Sequence, residues 1–287
     1  MNKRVLIIGS TGKLGTKLIK YCKKNNLNIT AITCFNNSKK IQHQSESLNI
    51  KKSFILSQKT ERNKFIHYLK KNKFKIIYFL DYGSSSLTYI NILLSNNTNS
   101  IFAIANKEMI IAGGPILIKR IKKTKNRLIP LDSEHFSLQK SFLLDQAVKN
   151  LFITASGGPF YFNKNIKLSN VSMTSVLKHP KWDMGFNNSI DSSNFINKIL
   201  EMFELSSIYS IDLSKIDFLV SENAFVHSLI FYKDNTISVN CYNNNMLIPL
   251  IKPLTDLFDV KELSMDNENI FDSNNFKLEK FKDKRFN

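Results

Sequence analysis

Two carboxylates stand one residue apart in Leu131-Asp132-Ser133-Glu134-His135, and a third, Glu201, follows in Asn197-Lys198-x-x-Glu201. In an extended chain, residues i and i+2 project to one side, so Asp132 and Glu134 face the same way. Carboxylates that close repel unless a cation lies between them or one holds a proton. Alone, the pair reads equally well as a helix N-cap followed by a solvated glutamate. Glu201 favours the metal reading, because Asn197 and Glu201 are i, i+4 neighbours on one helical face with Lys198 beside them. Three hard oxygen donors without cysteine suit Mg²⁺ or Mn²⁺ rather than zinc.

A second constellation lies upstream. Gly9-Ser10-Thr11-Gly12-Lys13-Leu14-Gly15 follows the apolar run Val5–Ile8 and precedes helical periodicity at Leu14, Leu18, Ile19 and Cys22. Strand, glycine turn and helix in that order aim backbone N–H groups and a helix N-terminus at a pyrophosphate. The spacing is G-x-x-G-x-x-G, so a plain tight turn is the competing reading. No acidic residue ends the second strand to hold a free ribose 2′-hydroxyl. Asn36, Asn37, Ser38, Lys39 and Lys40 stand there instead, which suits a 2′-phosphate and hence NADPH.

Ser156 in a glycine-rich turn, His179, Ser192, Asn197 and Lys198 supply the hydroxyl, imidazole, amide and ammonium donors that a phosphate dianion needs. Singly each reads as a solvated surface residue, and only the set points to a site. Lys107, after the strand Ile101–Ala105, is either a surface lysine or a bridge between cofactor and substrate. Trp182 and Met184 sit in a polar stretch, as a lid over substrate or as residues buried against the second domain.

These groups need a scaffold. A chain of 287 residues is long enough for two cores. Strands are predicted at Val5–Ile8, Ile29–Thr33, Ser53–Leu56, Ile76–Leu80, Ile101–Ala105 and Leu128–Leu131, with helices at Glu61–Lys71, Leu87–Leu94 and Gly114–Lys123. That alternation predicts a doubly wound, Rossmann-like α/β domain over 1–131. An α+β domain is expected over 132–258. It would hold a helix at Phe136–Val148, a strand at Leu151–Thr154, a loop with short helical pieces at Asn163–Asn188, a helix at Asp191–Tyr209, and strands at Ala224–Tyr232 and Thr236–Cys241. Residues 259–287 are expected as a short tail.

The net charge of +18 raises a nucleic-acid reading. The excess is mostly lysine scattered among Asn, Ile and Phe, without the basic stripe interleaved with aromatics that a single-strand binder uses. Genomic drift together with an anionic small substrate is the preferred account, with no nucleic-acid partner. Cys22, Cys34 and Cys241 show no paired spacing, which argues against a disulfide framework and fits a reducing compartment. No segment has the length of a membrane span or the build of a signal peptide, so a cytoplasmic protein is expected.

The chain resembles the 1-deoxy-D-xylulose 5-phosphate reductoisomerase family. The resemblance runs from residue 5 to about residue 250. It is carried in order by Gly9-Ser10-Thr11-Gly12, Ala105-Asn106-Lys107-Glu108, Asp132-Ser133-Glu134-His135, Ser156-Gly157-Gly158-Pro159-Phe160, His179-Pro180-Lys181-Trp182, Asp191-Ser192, Asn197-Lys198 with Glu201, and Val226-His227-Ser228. It implies a metal held by Asp132, Glu134 and Glu201 that chelates neighbouring ketone and hydroxyl oxygens of the substrate. It also implies NADPH against Gly9 through Leu14, Asn37, Asn106 and Glu108. Substrate would lie on Lys107, Ser133, Ser156, His179, Ser192, Asn197 and Lys198 under Trp182 and Met184. A retro-aldol/aldol rearrangement and a reduction would give 2-C-methyl-D-erythritol 4-phosphate, in a homodimer.

The chain departs from the family pattern at Ser221-Glu222-Asn223, where His-Pro-Gln is usual, and at Asp183 in place of a serine. It departs again at Phe186-Asn187-Asn188, usually basic, and at Cys34-Phe35-Asn36-Asn37, which lacks the family glycine. The family's C-terminal helical domain is expected to be largely absent. Two rival readings remain: another NADPH-dependent dehydrogenase of homoserine or semialdehyde type, and a non-catalytic relative. The acidic triad argues against the first.

Overall fold

The computed structural model describes residues 4–139, 141–143, 147–163, 165–177, 185–260, 263 and 273–283. The chain divides into two compact units, Met1–Asp132 with Met246–Leu263, and Ser133–Asn245 with Ser264–Asn287. Among the described residues no helix is long and apolar enough to cross a membrane.

The first unit is a six-stranded parallel sheet of β1 (Val5–Ile8), β2 (Ala31–Cys34), β3 (Ser53–Ile55), β4 (Ile76–Phe79), β5 (Ile101–Ile104) and β6 (Arg127–Pro130), in the order β3-β2-β1-β4-β5-β6. That is the doubly wound dinucleotide-binding order, and the order in which strands are added reverses between β1 and β4 while all stay parallel. Every residue of β1, β2, β4 and β5 is buried. Strands covered on both faces must be apolar throughout, which is why they read as continuous apolar runs. The helices are α1 (Lys13–Lys24), α2 (Ser38–Ser47), α3 (Lys59–Lys71), α4 (Leu87–Asn96) and α5 (Lys107–Lys123). α5 starts seven residues earlier than predicted. A kink at Gly114 (φ 54°), followed by Pro115, hides its continuity in sequence.

The second unit is a five-stranded mixed sheet in the order β10-β9-β7-β8-β11. Its strands are β7 (Val148–Ala155), β8 (Ile216–Val220), β9 (Val226–Tyr232), β10 (Ile237–Cys241) and β11 (Glu279–Lys280). β7 and β8 are parallel and need a long crossover. The crossover carries α7 (Met173–Val176), α8 (Phe186–Ser193) and α9 (Ile196–Tyr209), and α6 (Ser133–Leu138) precedes β7. Leu205 of α9 and Leu138 of α6 close a core over Leu151, Ile153, Ile216 and Ile230.

Four expectations are corrected here. Among its described residues the predicted helix Phe136–Val148 is the end of α6 and a 3-10 turn at Ser141–Leu143, and Val148 is already paired with Tyr232 in β7. The predicted helix Asp191–Tyr209 is two helices. Between them Phe195 takes a left-handed backbone (φ 65°), a strained state for a bulky residue. Its ring holds it there, packed at 4.7 Å from Phe281, 5.7 Å from Phe218 and 5.9 Å from Tyr161. The expected short tail contributes a strand to the second sheet, since Glu279 and Lys280 pair with β8.

The fourth correction concerns Met246–Leu263, which clusters with the first unit rather than the second. Its helix α10 (Leu247–Thr255) buries Leu250, Ile251 and Leu254. The buried Tyr78 hydroxyl donates to the Leu250 carbonyl at 2.8 Å, and Arg127 pairs with Asp256.

The turn after β1 depends on two glycines. A Cβ at Gly9, whose φ is +86°, would meet the Asp81 backbone nitrogen at 2.5 Å, and one at Gly15 would meet the Gly9 carbonyl oxygen at 2.4 Å. Gly185, at the start of α8, has no neighbour within 4 Å of such a Cβ. Gly15→Ala is therefore expected to lower the unfolding free energy by about 1–3 kcal/mol, the usual cost of overpacking. Gly185→Ala should stay within about 0.5 kcal/mol of the parent in the same urea titration. Phe195→Ala should cost about 3–5 kcal/mol by loss of the buried ring.

Candidate active site

In the first unit the glycine turn is pinned to β2. The amides of Gly9 and Ser10 donate to the Thr33 carbonyl at 3.2 and 2.9 Å. Ser10 is fully buried, its hydroxyl donating to Gln44 at 2.8 Å and its carbonyl accepting from the Gln44 amide at 2.9 Å. Gly9 and Ser10 thus shape the turn rather than reach outward. The outward-facing part begins at Thr11 and continues through Gly12, Lys13 and Leu14, where α1 opens with N–H groups that have no partner within the helix. Asn37 caps α2 by accepting from the Lys40 amide at 3.1 Å, and Asn36, Lys39 and Phe35 are exposed around it.

Asn106, Lys107 and Glu108 open α5. The Asn106 side chain caps the helix through the Met109 amide at 2.9 Å and donates to the Gly83 carbonyl at 2.8 Å and to Asp81 at 3.2 Å. Lys107 is 4% exposed, so the surface-lysine reading fails, and its ammonium lies 3.3 Å from Asp132. Asp81, which the sequence reading passed over, is held by Ser86 at 2.6 Å and by Asn106. Burial pushes its pKa above the ordinary carboxylate range, against the opposing hydrogen bonds. An acid placed immediately after an all-apolar strand was the signal that could have found it.

In the second unit, α6 carries Ser133 and Glu134 while α9 carries Asn197, Lys198 and Glu201. Lys198 is 6% exposed and sits between the two acids, 2.5 Å from Glu134 and 2.6 Å from Glu201. Asn197 donates to the other oxygen of Glu201, and the Ser133 hydroxyl donates to Glu134. Two carboxylates from segments more than sixty residues apart thus share one buried ammonium. Glu134 also stands two residues from Asp132 along the chain.

Behind these acids lies a layer without an assigned role in the sequence reading. His135, fully buried, faces the Glu201 carbonyl at 3.0 Å and the Glu204 carboxylate at 3.7 Å through Nε2. A carbonyl only accepts, so that nitrogen carries the proton. The Tyr209 hydroxyl donates to the His135 carbonyl at 3.0 Å, and burial, with Glu204 nearby, pushes its pKa far upward. The spacing Glu201-x-x-Glu204 on one helix is the trace this layer leaves in sequence.

Ser156 follows β7 and enters the turn Gly157-Gly158, both with positive φ. A Cβ on Gly158 would sit 2.8 Å from the Ser192 carbonyl oxygen, so glycine lets this turn close on the end of α8. Asn197 and Lys198 begin the next helix, past the bend at Phe195. His179, Trp182 and Met184, with Asp183, lie outside the described residues.

Residues 128–209 match the model of the 1-deoxy-D-xylulose 5-phosphate reductoisomerase C-terminal domain. The reductoisomerase of Pelagibacter ubique is 33% identical over 307 aligned positions, which take in 99% of this chain and 78% of that relative. Among solved structures, a reductoisomerase in complex with NADPH, fosmidomycin and magnesium superposes with a TM-score of 0.79 at 24% identity, covering 92% of this chain and 72% of the other. A hyperthermophilic archaeal homoserine dehydrogenase in complex with NADPH superposes with a TM-score of 0.60 at 11% identity, covering 91% of this chain and all of the other, a likeness of fold alone. With a third of its residues shared across almost its whole length, the chain belongs to the 1-deoxy-D-xylulose 5-phosphate reductoisomerase family.

Proposed function

We propose that this protein is a divalent-metal-dependent, NADPH-dependent reductoisomerase that converts 1-deoxy-D-xylulose 5-phosphate to 2-C-methyl-D-erythritol 4-phosphate, a step toward isoprenoid precursors. The observation that carries the reading is the pairing of Glu134 and Glu201 around one buried cation, Lys198, in a chain of this family. Acids held together in this way form a donor set of hard oxygens, and such sets suit Mg²⁺ or Mn²⁺. Asp132 supplies the third oxygen donor of the proposed set. Bound there, the cation supplies Lewis acidity toward neighbouring ketone and hydroxyl oxygens, and NADPH supplies the hydride.

The remaining work belongs to the chain's own residues. Thr11 through Leu14 present the α1 N-terminus to the cofactor pyrophosphate, with Gly9 and Ser10 fixing the turn. Asn37, Lys39 and Lys40 receive the 2′-phosphate, and Asn106 and Glu108 border the reactive half of the cofactor. Lys107, kept beside Asp132, offers a fixed positive charge to the anionic atoms of the reaction. Ser133 orients Glu134, while Ser156, Ser192, Asn197 and Lys198 take the substrate phosphate. We place the enzyme in the cytoplasm as a homodimer, a state that light scattering on the purified chain tests directly.

Oxidation of NADPH in the presence of 1-deoxy-D-xylulose 5-phosphate should require Mg²⁺ or Mn²⁺ and should stop on adding EDTA. Turnover that ignores EDTA, or that occurs only with unrelated aldehydes, refutes the proposal. Glu201→Gln should lower kcat at least a hundredfold, about the 2.7 kcal/mol expected for losing one charged group at the reacting centre. NADPH affinity should stay within about twofold in that variant, and equal loss of both would remove Glu201 from the metal site. Lys39→Ala with Lys40→Ala should weaken NADPH about tenfold or more while leaving NADH nearly unchanged; an unchanged ratio takes both lysines out of the cofactor site.

A further inference from the structure

Lys198 is placed unusually for a residue expected only to receive a phosphate. Its ammonium is buried, and two of its contacts are to carboxylates on different helices, Glu134 at 2.5 Å and Glu201 at 2.6 Å. All three side chains are largely withdrawn from solvent, with side-chain exposures of 8%, 12% and 2% for Lys198, Glu134 and Glu201. A buried and a half-buried carboxylate at one ammonium carry a net negative charge, and the ammonium is what permits their approach. A dication that takes both acids must take them from this lysine. From this we infer that Lys198 is a built-in counter-ion of the Glu134–Glu201 pair, displaced when a divalent cation loads, so that metal binding releases the ammonium for the substrate phosphate.

The inference rests on the metal reading above and adds a competition to it. The intrinsic affinity of the acids for the cation is reduced by the fraction of protein in which Lys198 occupies them. Lysine suits this role better than arginine would. Its point charge sits on a flexible four-carbon stem that can swing from one partner to another, whereas a guanidinium fork tends to lock onto a carboxylate in two places. Asn197 stays on Glu201 from one residue away and keeps that acid oriented while the ammonium leaves.

The test is Mn²⁺ binding followed by electron paramagnetic resonance on the full chain, at one pH well above the ordinary carboxylate range, for the parent, Lys198→Met and Lys198→Arg. The methionine variant should bind Mn²⁺ about tenfold more tightly than the parent, equivalent to about 1.4 kcal/mol. The arginine variant should bind no more tightly than the parent. Equal or weaker binding by the methionine variant overturns the counter-ion role. Absence of Mn²⁺ binding in the parent and both variants overturns the metal reading itself, so the two failures are distinguishable.

Should Lys198→Met not fold, the parent decides. The ¹³Cε resonance of Lys198, identified by its loss in Lys198→Arg, should shift along an Mg²⁺ titration with the midpoint that calorimetry gives for binding. A resonance that stays in place while Mg²⁺ binds overturns the inference.

Discussion

The ammonium of Lys198 between Glu134 and Glu201 is the interaction on which the second unit's site depends. Charges withdrawn from water are tolerated only when paired, and removing one partner of a buried pair typically costs 3–5 kcal/mol. That requirement ties α6 to α9 across more than sixty residues of chain. It explains why α6 is a short helix that ends at Leu138: its task is to deliver Ser133, Glu134 and His135 to α9, after which the chain must extend into β7. It also accounts for the polar layer behind the acids. His135 holds the Glu201 carbonyl while Tyr209 holds the His135 carbonyl, so the backbone at both acids is fixed from behind. Support of this kind fixes the geometry in which the acids are presented.

The first unit solves a different problem, the close approach of backbone to backbone. Where strand order reverses between β1 and β4, the Gly9 turn lies against Leu80 and Asp81, and α1 lies against Gly9 through Gly15. Tying the amides of Gly9 and Ser10 to β2 makes the turn rigid and leaves Thr11 and the start of α1 as its outward-facing part. Asp81 extends the same frame, linking the end of β4 through Asn106 to the helix that begins with Lys107.

Much of this was legible in sequence because burial on both faces leaves no freedom. The strands β1, β2, β4 and β5 had to be apolar runs, and their alternation with helices marked the doubly wound class. β8 escaped because Ile216-Asp217-Phe218-Leu219-Val220 mixes an exposed acid into a half-covered strand. The break at Phe195 escaped because no glycine or proline marks it; an aromatic cluster assembled from distant segments holds the bend. α10 escaped because its partners lie in the first unit, more than a hundred residues back along the chain, and no local pattern announces a long-range return. At the site, the spacings of Asp132, Glu134, Asn197 and Glu201 were visible. The position of Lys198 between two acids was not, since only tertiary structure puts α6 beside α9.

Fold likeness to a homoserine dehydrogenase shows how little the scaffold by itself decides. One fold hosts many chemistries, and function resides in what is grafted onto it. In this chain the graft is economical. One short helix brings Glu134 within two residues of Asp132, one long helix brings Glu201, and each acid meets a buried lysine: Lys107 for Asp132, Lys198 for the other two. Both lysines sit on the acids, so within each unit the negative charge is answered by the chain's own ammonium groups, and the burial of each ammonium makes the loss of either partner costly.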